Sequence, residues 1–205
     1  VLHYVGKETS YSEVTDLSSL KRISETTKNA IKYLWINNNK INNLSGIEGF
    51  KNLYQIEAIN NPNLKDINAI KELKEIKYFY AQYCDLENME GLINSNIYIL
   101  SVFGNTNLTS LNGLQGSSNI NSIYANDCNI QDITAIQNKN SLGFLNLNNN
   151  LNLKLISSIK NDIAIRKLYL GNNNNMEISE VRQITNIIEN CIEIELPSKY
   201  YAVLE

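Results

Sequence analysis

Residues 31–53 read IKYLWINNNKINNLSGIEGFKNL. Within them Ile31, Leu34, Ile36, Ile41, Leu44, Ile47, Phe50 and Leu53 are apolar, and Asn39 stands among them as a polar residue at a fixed place. The pattern returns about every 22 or 23 residues to the end of the chain. A period in that range marks a repeat architecture whose units bury their apolar faces only against neighbouring units. The expected molecule is a stack of coils.

The register can be followed residue by residue. Leu34, Ile56, Phe79, Leu100, Ile123, Leu145 and Leu168 are spaced by 22, 23, 21, 23, 22 and 23 residues. Each has an apolar residue three places earlier (Ile31, Leu53, Ile76, Ile97, Ile120, Leu142, Ile165) and another two places later (Ile36, Ala58, Ala81, Val102, Ala125, Leu147, Leu170). Spacing by two is the signature of a short strand with one buried side.

Five places beyond each first strand position come Asn39, Asn61, Cys84, Asn105, Cys128, Asn150 and Asn173. The chain must turn there with its peptide groups facing inward, away from water, and an asparagine amide offers both a donor and an acceptor. A thiol is smaller and bonds weakly. Beyond this position the apolar spacing becomes three, as in Leu64, Ile67, Ile70, Leu73 and Ile76, which suits 3₁₀ turns better than an α-helix. Copies beginning NPNL (61–64), NTNL (105–108) and NLNL (150–153) carry one extra residue, assigned to the loop.

These residues match the pattern LxxLxLxxN/CxL. The chain resembles the leucine-rich-repeat proteins of the short, bacterial, internalin type, with the intracellular phosphatase-regulator (SDS22-like) class as a near relative. The likeness is carried by LWINNNKINNLSGIEGFKNL (34–53), IYANDCNIQDITAIQNKNSL (123–142) and FLNLNNNLNLKLISSIKNDI (144–163), and it covers roughly residues 12–178. It implies an α/β, right-handed leucine-rich-repeat solenoid, or horseshoe. That fold has a concave parallel β-sheet, a convex side of 3₁₀ and short helical turns, and terminal caps. The scaffold hosts many partners, so the likeness speaks to fold more than to function.

Three parts are expected. Residues 1–30 form an N-terminal cap, with Val14, Leu17, Leu20 and Ile23 copying the outer-face spacing and Ser12 in the ladder position. Residues 31–178 hold about seven repeats of 21–23 residues. Residues 179–205 form a C-terminal cap, in which Val181, Ile184, Ile187, Ile188 and Cys191 share one helix face behind Ser179 as N-cap. Ile192 to Leu196 then alternate as an edge strand stopped by Pro197, and Tyr200 to Glu205 are read as a run-on toward a following domain or tail.

Composition narrows the functional classes. The formal net charge is −3 with 43% hydrophobic residues and a pI near 5.3, so no basic surface invites nucleic acid or an anionic membrane. No apolar run reaches the roughly 18 residues of a membrane span. The start, VLHYVGKETS, has neither Met nor an apolar signal region, which suggests an excised or processed domain of a longer protein. Three cysteines (Cys84, Cys128, Cys191) without CxxC spacing imply neither a disulfide framework nor a zinc site, and a reduced or thiol-poor compartment suits them.

Catalysis has little to work with. His3 is the single histidine, and neither a nucleophile–base pair nor a phosphate-binding glycine loop is present. Glu57 and Asp127 are isolated acids. No enzyme activity, cofactor or metal is expected.

The strand alternation instead sets out three outward rows. The first is Tyr33, Gln55, Tyr78, Ile99, Ser122, Phe144, Lys167, and the middle one is Trp35, Glu57, Tyr80, Ser101, Tyr124, Asn146, Tyr169. The third is Asn37, Ile59, Gln82, Phe103, Asn126, Asn148, Gly171. Interfaces concentrate aromatic side chains, so the expected partner-binding residues are Tyr33, Trp35, Glu57, Tyr78, Tyr80, Phe103, Tyr124, Phe144 and Tyr169. Seven strands about 4.8 Å apart span roughly 30 Å, a protein-sized face.

Two functional readings follow, both of a monomer that binds another protein. One is an extracellular or cell-surface recognition or adhesion domain facing a host or neighbouring-cell protein. The other is a cytoplasmic scaffold docked on an enzyme. A structural spacer within a longer repeat protein is a third.

Overall fold

Three-residue strands form wherever the i, i+2 apolar pair occurs, because that pair gives the pleat one buried side. The computed structural model describes residues 2–3 and 14–203. Among them are nine strands: β1 (Leu2–His3), β2 (Tyr33–Trp35), β3 (Gln55–Glu57), β4 (Tyr78–Tyr80), β5 (Ile99–Ser101), β6 (Ser122–Tyr124), β7 (Phe144–Asn146), β8 (Lys167–Tyr169) and β9 (Glu193–Glu195). They make one open sheet in chain order, parallel at every pairing. Leu34, Ile56, Phe79, Leu100, Ile123, Leu145 and Leu168 align in register and are buried. The core is therefore a row of stacked apolar rungs. This is the leucine-rich-repeat solenoid that the resemblance implied.

The buried ladder does what the turn demands. Nδ2 of Asn61 donates to the carbonyls of Ala58 in its own coil and Ile36 in the coil before, each at 2.9 Å, while Oδ1 accepts from Ile41 N–H at 3.2 Å. Asn105 and Asn150 repeat the arrangement, with Leu86 N–H and Ile130 N–H as their donors. Cys84 and Cys128 only donate, to Ala58 and Val102 carbonyls at 3.1 and 3.3 Å.

The convex side is made of 3₁₀ turns over Asn68–Ile70, Glu90–Leu92, Thr134–Ile136 and Ser157–Ile159. A device not anticipated from the sequence opens the convex segment of six successive coils, the first of them in the N-terminal segment. Asp16, Asn43, Asp66, Asn88, Ser110 and Asp132 each accept, through a side-chain oxygen, the N–H two residues on, at 2.7 to 3.3 Å. Such Asx and Ser turns pre-shape the backbone. In the sixth repeat, that of Asn150, Leu155 holds that place, and Glu180 reaches across to accept Ile156 N–H at 2.9 Å and Ser157 N–H at 3.0 Å.

The ends differ from expectation in detail. Ser24 caps a short helix α1 (Glu25–Ala30) by accepting from Thr27 N–H, where the sequence showed only extra polar chain. Ser12 and the side chain of His3 lie outside the described residues. At the other end the helix face appears as expected but in two pieces, α2 (Ile178–Gln183) and α3 (Thr185–Ile188). The N-cap is Glu177, not Ser179, which lies inside α2. The Glu180 hydrogen bonds hold the helix against the preceding coil and start it before Ser179. The last strand is shorter than Ile192–Leu196, and Ile192 is exposed because it precedes the paired segment. Tyr200, read as part of a run-on, is instead buried, with its hydroxyl donating to the Met176 carbonyl.

Candidate functional site

Strand alternation sends residues on either side of each buried rung to the same side of the sheet. The pairing aligns Trp35, Glu57, Tyr80, Ser101, Tyr124, Asn146, Tyr169 and Glu195 across eight strands, and Tyr33, Gln55, Tyr78, Ile99, Ser122, Phe144, Lys167 and Glu193 beside them. All nine expected residues, Phe103 included, are half-buried. They share one sheet face and none belongs to the core.

The rings gather into groups. Phe144 bridges Tyr124 and Tyr169, with centroids at 4.4 and 5.5 Å. Tyr33, Tyr54, Tyr78 and Tyr98 run in a chain of contacts at 6.4, 5.2 and 6.0 Å. Tyr54 and Tyr98 were missed by the sequence reading, which followed only the strand rows. They occupy the place just before the first outward position, so the repeat register itself could have found them. A hydrogen bond to Tyr54 raises the Tyr78 phenol above its ordinary pKa, with burial adding to it. Between the groups Ser101 and Ser122 are buried, because larger neighbours flank them in register: Tyr80 and Tyr124 for Ser101, Ile99 and Phe144 for Ser122. The face dips there.

A third aromatic group, a pair, lies where the chain leaves the strands. The residue before the ladder position has positive φ in every coil: Asn38, Asn60, Tyr83, Gly104, Asp127, Asn149 and Asn172, between 54° and 77°. Asparagine, aspartate and glycine tolerate this left-handed region, whereas a tyrosine there is uncommon. The Tyr83 ring is exposed and meets Phe103 edge-on at 5.0 Å. Gly104 leaves it room, since a Cβ there would sit 2.7 Å from Tyr83 Cδ1.

Charge on the strand rows is mainly acidic. Lys167 is matched by Glu193 at 2.8 Å. Hydrogen bonding to Glu193 pushes the Tyr169 phenol up to about 12, while Lys167 and Tyr169 hold the Glu193 carboxyl below its ordinary range. Glu57 accepts from Gln55 Nε2 at 2.6 Å and Asn37 Nδ2 at 3.2 Å. Glu195 accepts from Asn148 Nδ2 at 2.7 Å. Asn37 and Asn148 are themselves fixed, accepting Ile59 N–H at 2.8 Å and Gly171 N–H at 2.6 Å. Burial first, then the Glu57 charge, raises the Tyr80 phenol.

Reactive chemistry is scarce in this arrangement. Among the described residues no cluster of three or more His, Cys, Asp or Glu is placed to hold a metal, and no helix is long and apolar enough to cross a membrane. Burial pushes the Cys84 and Cys128 thiols up to about 11, which removes the thiolate that reactivity needs. Cys191, half-buried behind α3, is raised for the same reason.

Comparison with protein-family models gives no match, and neither does comparison with curated proteins. Solved structures do match. An internalin C2 from Listeria monocytogenes strain 4b F2365 superposes with a TM-score of 0.61 at 20% identity, over 85% of this chain and 84% of that one. An internalin (inlF) from the same strain aligns at 17% identity over 96% of this chain and 67% of that one, with a TM-score of 0.44. Parallel strands in chain order, a buried Asn/Cys ladder and a convex side of 3₁₀ turns together give this chain the fold of an internalin-type leucine-rich-repeat solenoid.

Proposed function

We propose that this chain is a non-catalytic recognition module that binds another protein on the open face of its sheet. The observation carrying this is the register: the aromatic side chains Tyr33, Trp35, Tyr78, Tyr80, Tyr124, Phe144 and Tyr169 stand with Glu57 in two adjacent in-register rows, half-buried, with Phe103 beside them. Half-buried rings lose little entropy on binding and bring large area, as interface anchors do. Residues 1–30 and 179–205 then serve as caps that shield the end coils of the repeats at 31–178, and the module acts as a monomer.

The setting we favour is bacterial and extracellular or cell-surface, with a host or neighbouring-cell protein as partner in adhesion. The cytoplasmic scaffold reading leaned on the free thiols. That support is weak, because thiols raised to about 11 by burial resist oxidation in either compartment. The test compares partner capture by wild type, Tyr80→Ala, Tyr124→Ala and a convex-side control, Leu155→Lys. Capture lost in the two sheet-face variants and kept in the control supports the reading. Equal capture by all four would overturn it.

A further inference from the structure

We propose that Glu57, set between Trp35 and Tyr80, is the floor of a subsite that receives a guanidinium or ammonium side chain from the partner polypeptide. This rests on the sheet face being the binding surface, and it names what that face selects.

Three observations support it. The carboxylate is held by neutral donors only, Gln55 and Asn37, and among the described residues no lysine or arginine forms an ion pair with it. Its charge is thus fixed in direction and not neutralised by any described lysine or arginine, unlike that of Glu193, which Lys167 already matches. Next, the register puts Trp35 on one neighbouring strand and Tyr80 on the other, so Glu57 is flanked in its row by an aromatic residue on each side. Two strand spacings separate those two residues, about 10 Å between backbones, which admits a flat cation between the rings. Lastly, among the described residues of the two rows Glu57 and Glu195 form no ion pair with a lysine or arginine and Lys167 is already matched by Glu193, so charge complementarity calls for a basic partner surface.

Arginine suits the site by stacking its plane on the rings and sharing N–H groups with the carboxylate, and lysine as a point charge over them. The free lone pairs of Glu57 remain available, since each amide donor uses one oxygen only. The amide clamp also makes the site preorganised, so little ordering is needed when the cation arrives.

Trp35 is the sole tryptophan, and it reports on this position directly. The experiment titrates the intact chain with an acetylated, amidated Gly-Ser peptide carrying one arginine, its lysine counterpart, and its neutral citrulline counterpart, following Trp35 emission. The expected result is a saturable change with the two cationic peptides, at least tenfold tighter than with citrulline and weakened by added salt. Glu57→Gln, nearly isosteric, should abolish the preference, while Glu195→Gln at the far edge should keep it. Citrulline binding as well as arginine, or Glu57→Gln retaining the preference, would overturn the subsite. Failure here with partner capture still lost in Tyr124→Ala removes only the subsite. Failure here with capture unaffected by Tyr124→Ala removes the face reading too.

Discussion

At the ladder position the identity of a residue is decided by the coil beneath it. In coils without the extra residue, the N–H of Ile41, Leu86 or Ile130 points to the next coil and is accepted by Asn61, Asn105 or Asn150. In coils with the extra residue, the corresponding N–H closes within its own turn, as Leu64 onto the Asn61 carbonyl and Leu108 onto that of Asn105. The residue above such a coil has less to accept, and there cysteine stands, at Cys84 and Cys128; Asn173 shows that asparagine also serves, by accepting Asn150 N–H. The exchange is therefore asymmetric. Asn105→Cys strands the buried Leu86 N–H and should cost about 1–3 kcal/mol in chemical denaturation, whereas Cys84→Asn should stay within about 1 kcal/mol of wild type, its new amide using the pattern of Asn173. Equal losses would refute the dependence on the lower coil. Tyr83 offers a second case: Tyr83→Asn removes a bulky residue from the left-handed region and should raise stability by about 0.5–1 kcal/mol after loss of the Phe103 contact, as read from the denaturation midpoint. The ladder was legible in the sequence because seven copies repeat it. The reason for its two cysteines was not, since it depends on hydrogen bonds between coils.

Among the elements, strands and ladder were readable while caps and turn-openers were not. Repetition averages out local ambiguity, so the i, i+2 rungs located β2 to β8 within the copies, and the threefold spacing pointed to 3₁₀ turns. A cap occurs once and has no second copy to check it against, so the Ser24-capped helix α1 passed unseen, and Ser179 was favoured by local propensity over a start fixed by tertiary bonds. Ring contacts at Tyr54 and Tyr98 lay just outside the rows followed. The Asx and Ser turn-openers were hidden for another reason: Asp16, Asn43 and Asp66 are common surface residues in an asparagine-rich chain, and only their bonds distinguish them. The exception at Leu155 makes this device testable. Glu180→Ala should leave Ile156 and Ser157 N–H without their carboxylate acceptor and cost about 2–3 kcal/mol. Leu155→Asn in that background should restore about 1 kcal/mol by rebuilding the local turn that the other coils have. Thermal or denaturant unfolding of the two variants decides it: a Leu155→Asn change that restores nothing would show that Glu180 acts by holding α2 instead.

For the whole molecule, stability is distributed along the stack, each coil resting on its neighbours, and two buried ionisable groups, Lys139 and Asp162, lie along one edge of it. Along that edge Ser95 and Ser117 donate to the carbonyls of Leu73 and Ser95, and Lys139 Nζ donates to Leu114 and Gln115 carbonyls at 3.0 Å. Asp162 comes next, fully buried, its two carboxylate oxygens lacking a well-formed hydrogen bond. Burial carries its carboxyl up to about 6, against the opposing pull of the Asn138 and Lys139 peptide N–H groups and the Lys139 charge. Burial likewise lowers the Lys139 pKa, and the Asp162 charge partly restores it. A carboxyl raised in the folded state binds its proton more tightly there than in the unfolded chain. Its contribution to stability is thus fully present below the ordinary value of 3.8 and is lost as pH rises through about 6. The rise from 3.8 to about 6 sets a ceiling of about 3 kcal/mol, and relaxation of the surroundings around the ionised carboxylate reduces the expected effect to about 1 kcal/mol. Asp162→Asn should accordingly melt above wild type at about pH 7.5, and the gap should close as pH falls through about 6 and vanish near about pH 4. Melting curves for the two proteins across that range test it, the difference between them cancelling the titration of exposed groups such as Asp16 and Glu193. A gap that widened toward acid would mean that Asp162 is stabilised as the anion by Lys139, and that this edge is held by an ion pair.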